Sequence, residues 1–320
     1  MTDSPSSVAV AGEALIDLIR RPDGAYAPCL GGSVYNQARA LARQGIPTHY
    51  LNPLSADAFG RELAAQLLAD GAQLARSLPV QATTSLAVVR TNEAGHPQYA
   101  FYREGVADRQ VSAASLSADC ASLSGVTLAC TGGLALDPRD AGVYLPWLRA
   151  QRASGLTVAV DVNMRPSVMP DLAAYRTHAL AVLQQADVAK VSDEDLGHLQ
   201  VAGSDPLAQA QALLALSPTL SWLALTLGPD GAWLLRRDGQ RWHWREPRAL
   251  TVVDTVGAGD CFFAGLLAQG LRLGADALAQ PDEAQATAML RHAIAAASLC
   301  VQRQGCVPPT WDETSAWRQD

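Results

Sequence analysis

What this sequence lacks narrows its function before any motif is considered. Charged residues are only 17% of the 320 positions, the formal balance is −7, and no long basic run occurs. Nucleic acid and anionic membranes are therefore not expected as partners, although a nucleotide site can still be locally positive. No apolar run reaches the length of a membrane span, and the polar residues 1–7 have no basic region ahead of the short apolar stretch 8–12, so neither a signal nor a spanning helix is expected. The six cysteines show no C-x-x-C pairing in a chain large enough to need no covalent staples. They are expected to be reduced and mostly buried, with the cytoplasm as the compartment. The six histidines lack metal-ligand spacing, which argues against a zinc site. Also absent are the G-x-x-x-x-G-K-S/T phosphate loop, the G-x-G-x-x-G fingerprint and the H-R-D loop, which counts against P-loop, Rossmann and protein-kinase readings.

What is present is enough apolar sequence, 49% of residues, to bury a large core. Length alone allows two domains, and one large α/β domain with an accessory piece fits as well. From residue 126 the pattern alternates: strand 126–131, a helix within 139–154, strand 157–161, a helix within 172–185, strand 188–191, a helix within 206–217, strand 222–226. That rhythm predicts βαβ units and a mainly parallel sheet covered on both faces, with ligands beyond the carboxyl ends of the strands. Asp161, Asn163, Arg165, Lys190, Ser192, Asp195, Thr226 and Gly228 all fall at such ends. Earlier in the chain, segment 15–20 and two strands, 85–91 and 98–103, flanking the turn signal 92–95 can form a small separate sheet.

The chain is organised around Asp254-Thr255-Val256-Gly257-Ala258-Gly259-Asp260. Residues 250–253 read as a strand, and Phe262, Leu266, Leu267 and Leu271 recur at helical spacing, so Gly257 to Gly259 is expected to be a strand-to-helix turn. The first amides of a helix lack intrahelical acceptors, and glycines let a ligand approach them, which makes an anion site. A carboxylate inside that turn, Asp260, suits the alignment and deprotonation of a hydroxyl while the amides hold charge on a transferred phosphoryl group. Taken alone, Asp260 is equally an ordinary first-turn acid favourable to the helix dipole.

The full stretch resembles the C-terminal signature of the ribokinase-like (PfkB) carbohydrate kinases, and the resemblance extends over nearly the whole chain, nearest to the fructokinase-like members. It implies a ribokinase-like α/β fold over 1–320, a mainly parallel central sheet flanked by helices, and a β lid contributed by about 13–29 and 84–110. Asp17, Gly31, Gly32 and Asn36 match the family's sugar-binding element. Phe101-Tyr102-Arg103 and Asp161 to Pro166 look like fructokinase-like segments, which implies that Tyr102, Arg103 and Arg165 reach the sugar. Lys190, Ser192, Thr226, Gly228 and Gly231 match nucleotide-side positions. Ser192 and Asp195 stand where the family has N-x-x-E, so Asp195 is implied in magnesium contact through water, with Glu194 as a substitute. The resemblance implies Asp260 as the catalytic group, with Gly257, Ala258 and Gly259 as the anion-holding turn beside it.

The implied activity is phosphoryl transfer from Mg-ATP to a sugar hydroxyl, fructose first, with a monovalent cation such as K+ at the loop of Asp254, Arg303 and Gly305 and a homodimer formed through the lid. Rival acceptors are 2-keto-3-deoxygluconate, whose carboxylate needs Arg103 or Arg165, then ribose or a nucleoside. A sugar-sensing protein that no longer transfers phosphate is a further rival. Individually, Asp17 is also readable as a strand-end carboxylate, Ser192 and Asp57 as helix caps, Thr226 to Gly231 as a hairpin turn, and one of Phe101 and Tyr102 as packing on its own sheet.

Overall fold

Alternate residues of the central strands go to opposite cores, and this period of two builds the molecule in three layers. Val8 and Val10, Leu128 and Cys130, and Trp222 and Ala224 face one apolar cluster; Ala9 and Ala11, Val158 and Val160, and Leu223 and Leu225 face the other. The structure, a computed structural model, describes residues 6–21, 23–91 and 97–319; the turn signal at 92–95 lies outside these. Among the described residues, thirteen strands are arranged in two sheets. They are β1 (Ser7–Val10), β2 (Leu15–Arg20), β3 (Tyr26–Gly31), β4 (Thr48–Tyr50), β5 (Gln73–Leu74), β6 (Ser85–Thr91), β7 (Pro97–Tyr102), β8 (Val126–Gly132), β9 (Thr157–Asp161), β10 (Val188–Ser192), β11 (Trp222–Thr226), β12 (Ala232–Arg236) and β13 (Arg241–Trp244).

The main sheet runs β13-β12-β11-β10-β9-β8-β1-β4-β5, parallel from β11 to β5 and antiparallel only at the β11-β12-β13 edge. The helices are α1 (Ser33–Arg43), α2 (Ala58–Ala69), α3 (Ala113–Ser122), α4 (Ala141–Ala153), α5 (Leu172–Leu183), α6 (Asp193–Leu199), α7 (Pro206–Leu216), α8 (Ala258–Leu273), α9 (Ala275–Ala279), α10 (Glu283–Cys300) and α11 (Trp311–Gln319). α1, α8 and α10 cover one face through Leu41, Phe263 and Ala293, and α4, α5 and α7 the other through Trp147, Tyr175 and Leu213. No described helix is long and apolar enough to cross a membrane.

The second sheet, β3-β2-β6-β7, pairs β2 with β3 and β6 with β7 antiparallel, and β2 with β6 parallel. It stands where the lid was expected and includes β3 in addition to the three segments read from sequence. Residues 250–253 do not form the expected strand. Val252 and Val253 are exposed, with no ladder partner; the amides of Val253 and Asp254 instead donate to the Val301 carbonyl just past α10. β-Propensity without a neighbouring strand does not make a strand.

Candidate active site

A cavity of about 1590 Å³ opens between the small sheet and the carboxyl ends of the main strands, and the N-terminus of α8 forms part of its floor. Gly257 takes a left-handed conformation there, with φ +77°, and a Cβ on it would lie 2.2 Å from Cys306 Sγ. Only glycine fits. No side chain caps α8. Gly257, Ala258, Gly259 and Asp260 line the cavity together, although the Ala258 amide already donates to the Thr255 carbonyl (3.2 Å).

Asp260 is buried and held by three donors. Ser33 Oγ reaches Oδ1 at 2.8 Å, Asn36 Nδ2 reaches Oδ2 at 3.0 Å, and Asn163 Nδ2 reaches Oδ1 at 3.3 Å. Asn163 also donates to Ser33 Oγ at 2.6 Å and sits at φ +38°, a left-handed position that asparagine tolerates. Burial pushes the Asp260 carboxyl above its ordinary range, while the bonds from Asn36 and Ser33 and the charges of Lys190 and Arg165 pull it back. The group is thus fixed in direction and more basic than a solvated aspartate.

Lys190 lies beside the α8 turn, its ammonium 2.9 Å from where a Gly259 Cβ would be. It pairs with Asp161 at 3.1 Å, with the two side chains 5% and 1% exposed. Burial raises Asp161 to about 7 even against the pull of Lys190. Ser192 and Asp195 form a capping box at the start of α6, and both Asp195 oxygens are used: Oδ1 accepts from the Met164 amide (2.7 Å) and Oδ2 from the Ser192 amide (2.8 Å). Glu194 beside it is exposed on the cavity wall. Thr226, Gly228 and Gly231 line the same end, where Gly231 also packs under β13: a Cβ there would lie 2.2 Å from the Trp244 carbonyl. Val252, Ile294, Ala297 and Val301 add an apolar wall.

At the small-sheet end, Asp17 and Arg165 face the cavity. Asp17 is raised to about 6 by burial, with Arg165 opposing. Gly31 makes room for it, since a Cβ there would meet Asp17 Oδ2 at 2.2 Å, and Gly32 lines the cavity next to it. Two expected sugar contacts are not brought here. Tyr102 is 61% exposed and, with Arg103, borders a separate hollow of about 610 Å³. Arg103 is buried, its guanidinium 3.2 Å from Asp137 and 3.7 Å from Asp140, because two sequestered carboxylates need a cation. Phe101 does line the main cavity. Asp57 is the cap of α2, accepting from the Gly60 amide at 2.7 Å.

Glu13, which belongs to none of the motifs above, is buried in the cavity wall. Its Oε1 accepts from the Ser33 amide at 2.9 Å, and its Oε2 is buried without a partner among the described residues. The available signal was an acid directly after the apolar stretch 8–12. Burial raises its carboxyl from 4.5 to about 7. A folded-state value above the unfolded one makes a contribution that is full below about pH 4.5 and lost as pH rises through 7, worth about 3 kcal/mol over that window. Glu13→Gln should therefore flatten the fall in urea midpoint between pH 5 and 8. Asp17 and Asp161 keep part of the slope in both proteins. An unchanged slope would refute the assignment to Glu13.

This geometry joins a fixed buried carboxylate, an uncapped helix start, an adjacent ammonium and a roomy polar-to-apolar cavity, as transfer of an anionic group to a hydroxyl requires. A family model described as pfkB family carbohydrate kinase matches residues 5–313. The chain belongs to this family. As a pfkB carbohydrate kinase it is a phosphotransferase with an alcohol group as acceptor. It is similar to a fructokinase of Rhizobium leguminosarum bv. trifolii, 32% identical over 264 residues that cover 80% of this chain and 77% of that protein. It is also similar to fructokinase-1 of Zea mays, 30% identical over 309 residues, covering 93% and 92% of the two chains. Among solved structures, the fructokinase of Xylella fastidiosa with bound ATP superposes with a TM-score of 0.84 at 27% identity and 99% coverage of both chains.

Proposed function

We propose that this pfkB kinase transfers the γ-phosphate of ATP to fructose, with Asp260 aligning the acceptor hydroxyl and taking its proton. The observation that carries the reading is Asp260 itself, a buried carboxylate held by Ser33, Asn36 and Asn163 at the uncapped start of α8. A sugar held near Asp17, Gly32 and Arg165 presents a hydroxyl to Asp260, while triphosphate lies along Lys190 and the Gly257 to Gly259 turn. Asn36 then acts on the sugar through Asp260 by fixing the carboxylate. As the phosphoryl group leaves ATP, the turn amides and the Lys190 ammonium meet its equatorial oxygens. Proton transfer to Asp260 comes late, once the hydroxyl is becoming acidic.

A magnesium ion bound with the nucleotide would neutralise phosphate charge. It takes oxygen ligands and keeps several waters, which suits Glu194 and, through water, Asp195, whose own oxygens already accept backbone bonds. At the proposed monovalent-cation loop, Asp254 Oδ1 accepts from the Val256 amide and Oδ2 from Gly305 and Gln304, so an ion there would have to share them. The reading extends to a cytoplasmic enzyme, one kinase unit over 1–320, dimerising through the small sheet, whose Ile19 and Tyr102 are exposed.

A second acceptor, 2-keto-3-deoxygluconate, is favoured by one observation: Arg165 faces the sugar end of the cavity and can pair with a carboxylate. The test is ADP release from Mg-ATP with fructose, 2-keto-3-deoxygluconate, ribose, glucose and adenosine. Selective turnover of fructose is expected. Turnover of the keto acid alone would move the acceptor to that rival while keeping the mechanism. Sugar binding by folded protein without turnover of any acceptor would overturn the kinase reading in favour of a sensor.

A further inference from the structure

Beneath the α8 turn lie three thiols that the phosphoryl-transfer chemistry does not use. Cys261 follows Asp260 in α8, Cys300 ends α10, and Cys306 lies in the loop beyond it. All three are buried and free, and their Sγ atoms lie within 4.8 Å of one another. The elements carrying them are closely fitted: a Cβ on Gly265 of α8 would sit 3.1 Å from Ala296 of α10, and the Cys306 carbonyl accepts from Arg39 at 3.1 Å. Cys306 also lines the active-site cavity, which gives the cluster a route to solvent.

We propose that Cys261, Cys300 and Cys306 form a three-thiolate site for a thiophilic divalent cation such as zinc, reached from the active-site cavity. Zinc–sulfur bonds of about 2.3 Å place three sulfurs on one ion about 4 Å apart, so the cluster needs to contract by less than about 1 Å. Sulfur ligands select soft or borderline cations and not magnesium, which keeps this site chemically separate from the one that serves the nucleotide. Each S–H that becomes a ligand releases its proton to solvent, and the ion takes the sulfur lone pair; no oxidant is involved.

The site bears on activity through the turn above it. Cys306 Sγ lies directly under Gly257, and Cys300 Sγ donates to the Val256 carbonyl at 3.6 Å. An ion that draws these sulfurs together removes that bond and shifts Gly257, so the loaded protein should transfer phosphate more slowly.

The direct test adds Co2+ to the reduced full chain, without nucleotide and in a non-thiol reductant. One equivalent should give sulfur-to-cobalt charge-transfer absorption in the near ultraviolet, and zinc should remove it by displacement. Cys300→Ser should weaken Co2+ binding roughly 100-fold or more, and Cys306→Ser should do the same if the first variant folds poorly. Cys29→Ser, which alters a cavity thiol outside the cluster, should leave the band intact. Absence of the band in the parent protein, or its survival in a folded Cys300→Ser or Cys306→Ser variant, overturns the proposal. The readout is independent of kinase activity, so its failure leaves the reading of Asp260 standing.

Discussion

Asp260→Asn is expected to fold normally and to lose roughly 10² to 10⁴ in turnover with the best acceptor. Asparagine keeps the shape but cannot take a proton. The fold should survive because the surrounding amide can turn. Asn36 donates to Asp260 Oδ2 through Nδ2, and its Oδ1 is buried without a partner among the described residues. When residue 260 presents an NH2 there, rotation of the Asn36 amide presents Oδ1 and restores a bond. Ser33 can still donate to the carbonyl oxygen. Thermal midpoints of the two proteins should therefore agree closely while turnover separates them. The pH profile gives a second readout. Burial raises the Asp260 carboxyl, so kcat/KM should fall on the acid side above the range of a solvated aspartate, and that limb should vanish in the variant. Near-normal turnover of the variant would sink the assignment.

The layered sheet was legible because its strands repeat a simple physical pattern. Each of β8 to β11 is a short, largely apolar run buried on both faces, β8 to β10 each lead into a helix, and the polar residues clustered at the strand ends mark where the sheet meets ligand. Asp260 and its glycines were legible as part of the full stretch 254–260, since a first-turn acid by itself reads as well as a residue that favours the helix dipole. The pairing of Asp260 with its donors was not, although Asn36 and Asn163 were candidates in their own right. Ser33 lies 227 residues from Asp260 and Asn163 lies 97 away, and no local pattern tells which hydroxyl or amide will meet a carboxylate across that distance. Arg103 shows the converse. Beside aromatic residues at a sheet edge it reads as a ligand contact, but Asp137 and Asp140, set by a different turn, claim its charge. The apolar stretch 250–253 had strand composition and no strand to pair with.

Lys190→Met should destabilise the protein by about 3 to 5 kcal/mol at pH 8, because it breaks a buried pair and leaves Asp161 without its cation. The loss should depend on pH. In the folded parent Asp161 already sits near 7, with burial raising it and Lys190 the strongest influence lowering it. Removing the ammonium raises Asp161 further. A raised carboxyl contributes stability that is complete at low pH and lost as pH rises, so the deficit at pH 8 should exceed that at pH 5. Adding Asp161→Asn removes the uncompensated charge, and the double variant should recover most of the lost stability in urea denaturation. It should nevertheless remain slow, by roughly 10² or more, since the ammonium beside Gly259 is still missing where charge develops on the transferred group. No rescue of stability would mean that the pair is not what Lys190 supports. Restored turnover in the double variant would mean that Lys190 serves the fold and not phosphoryl transfer.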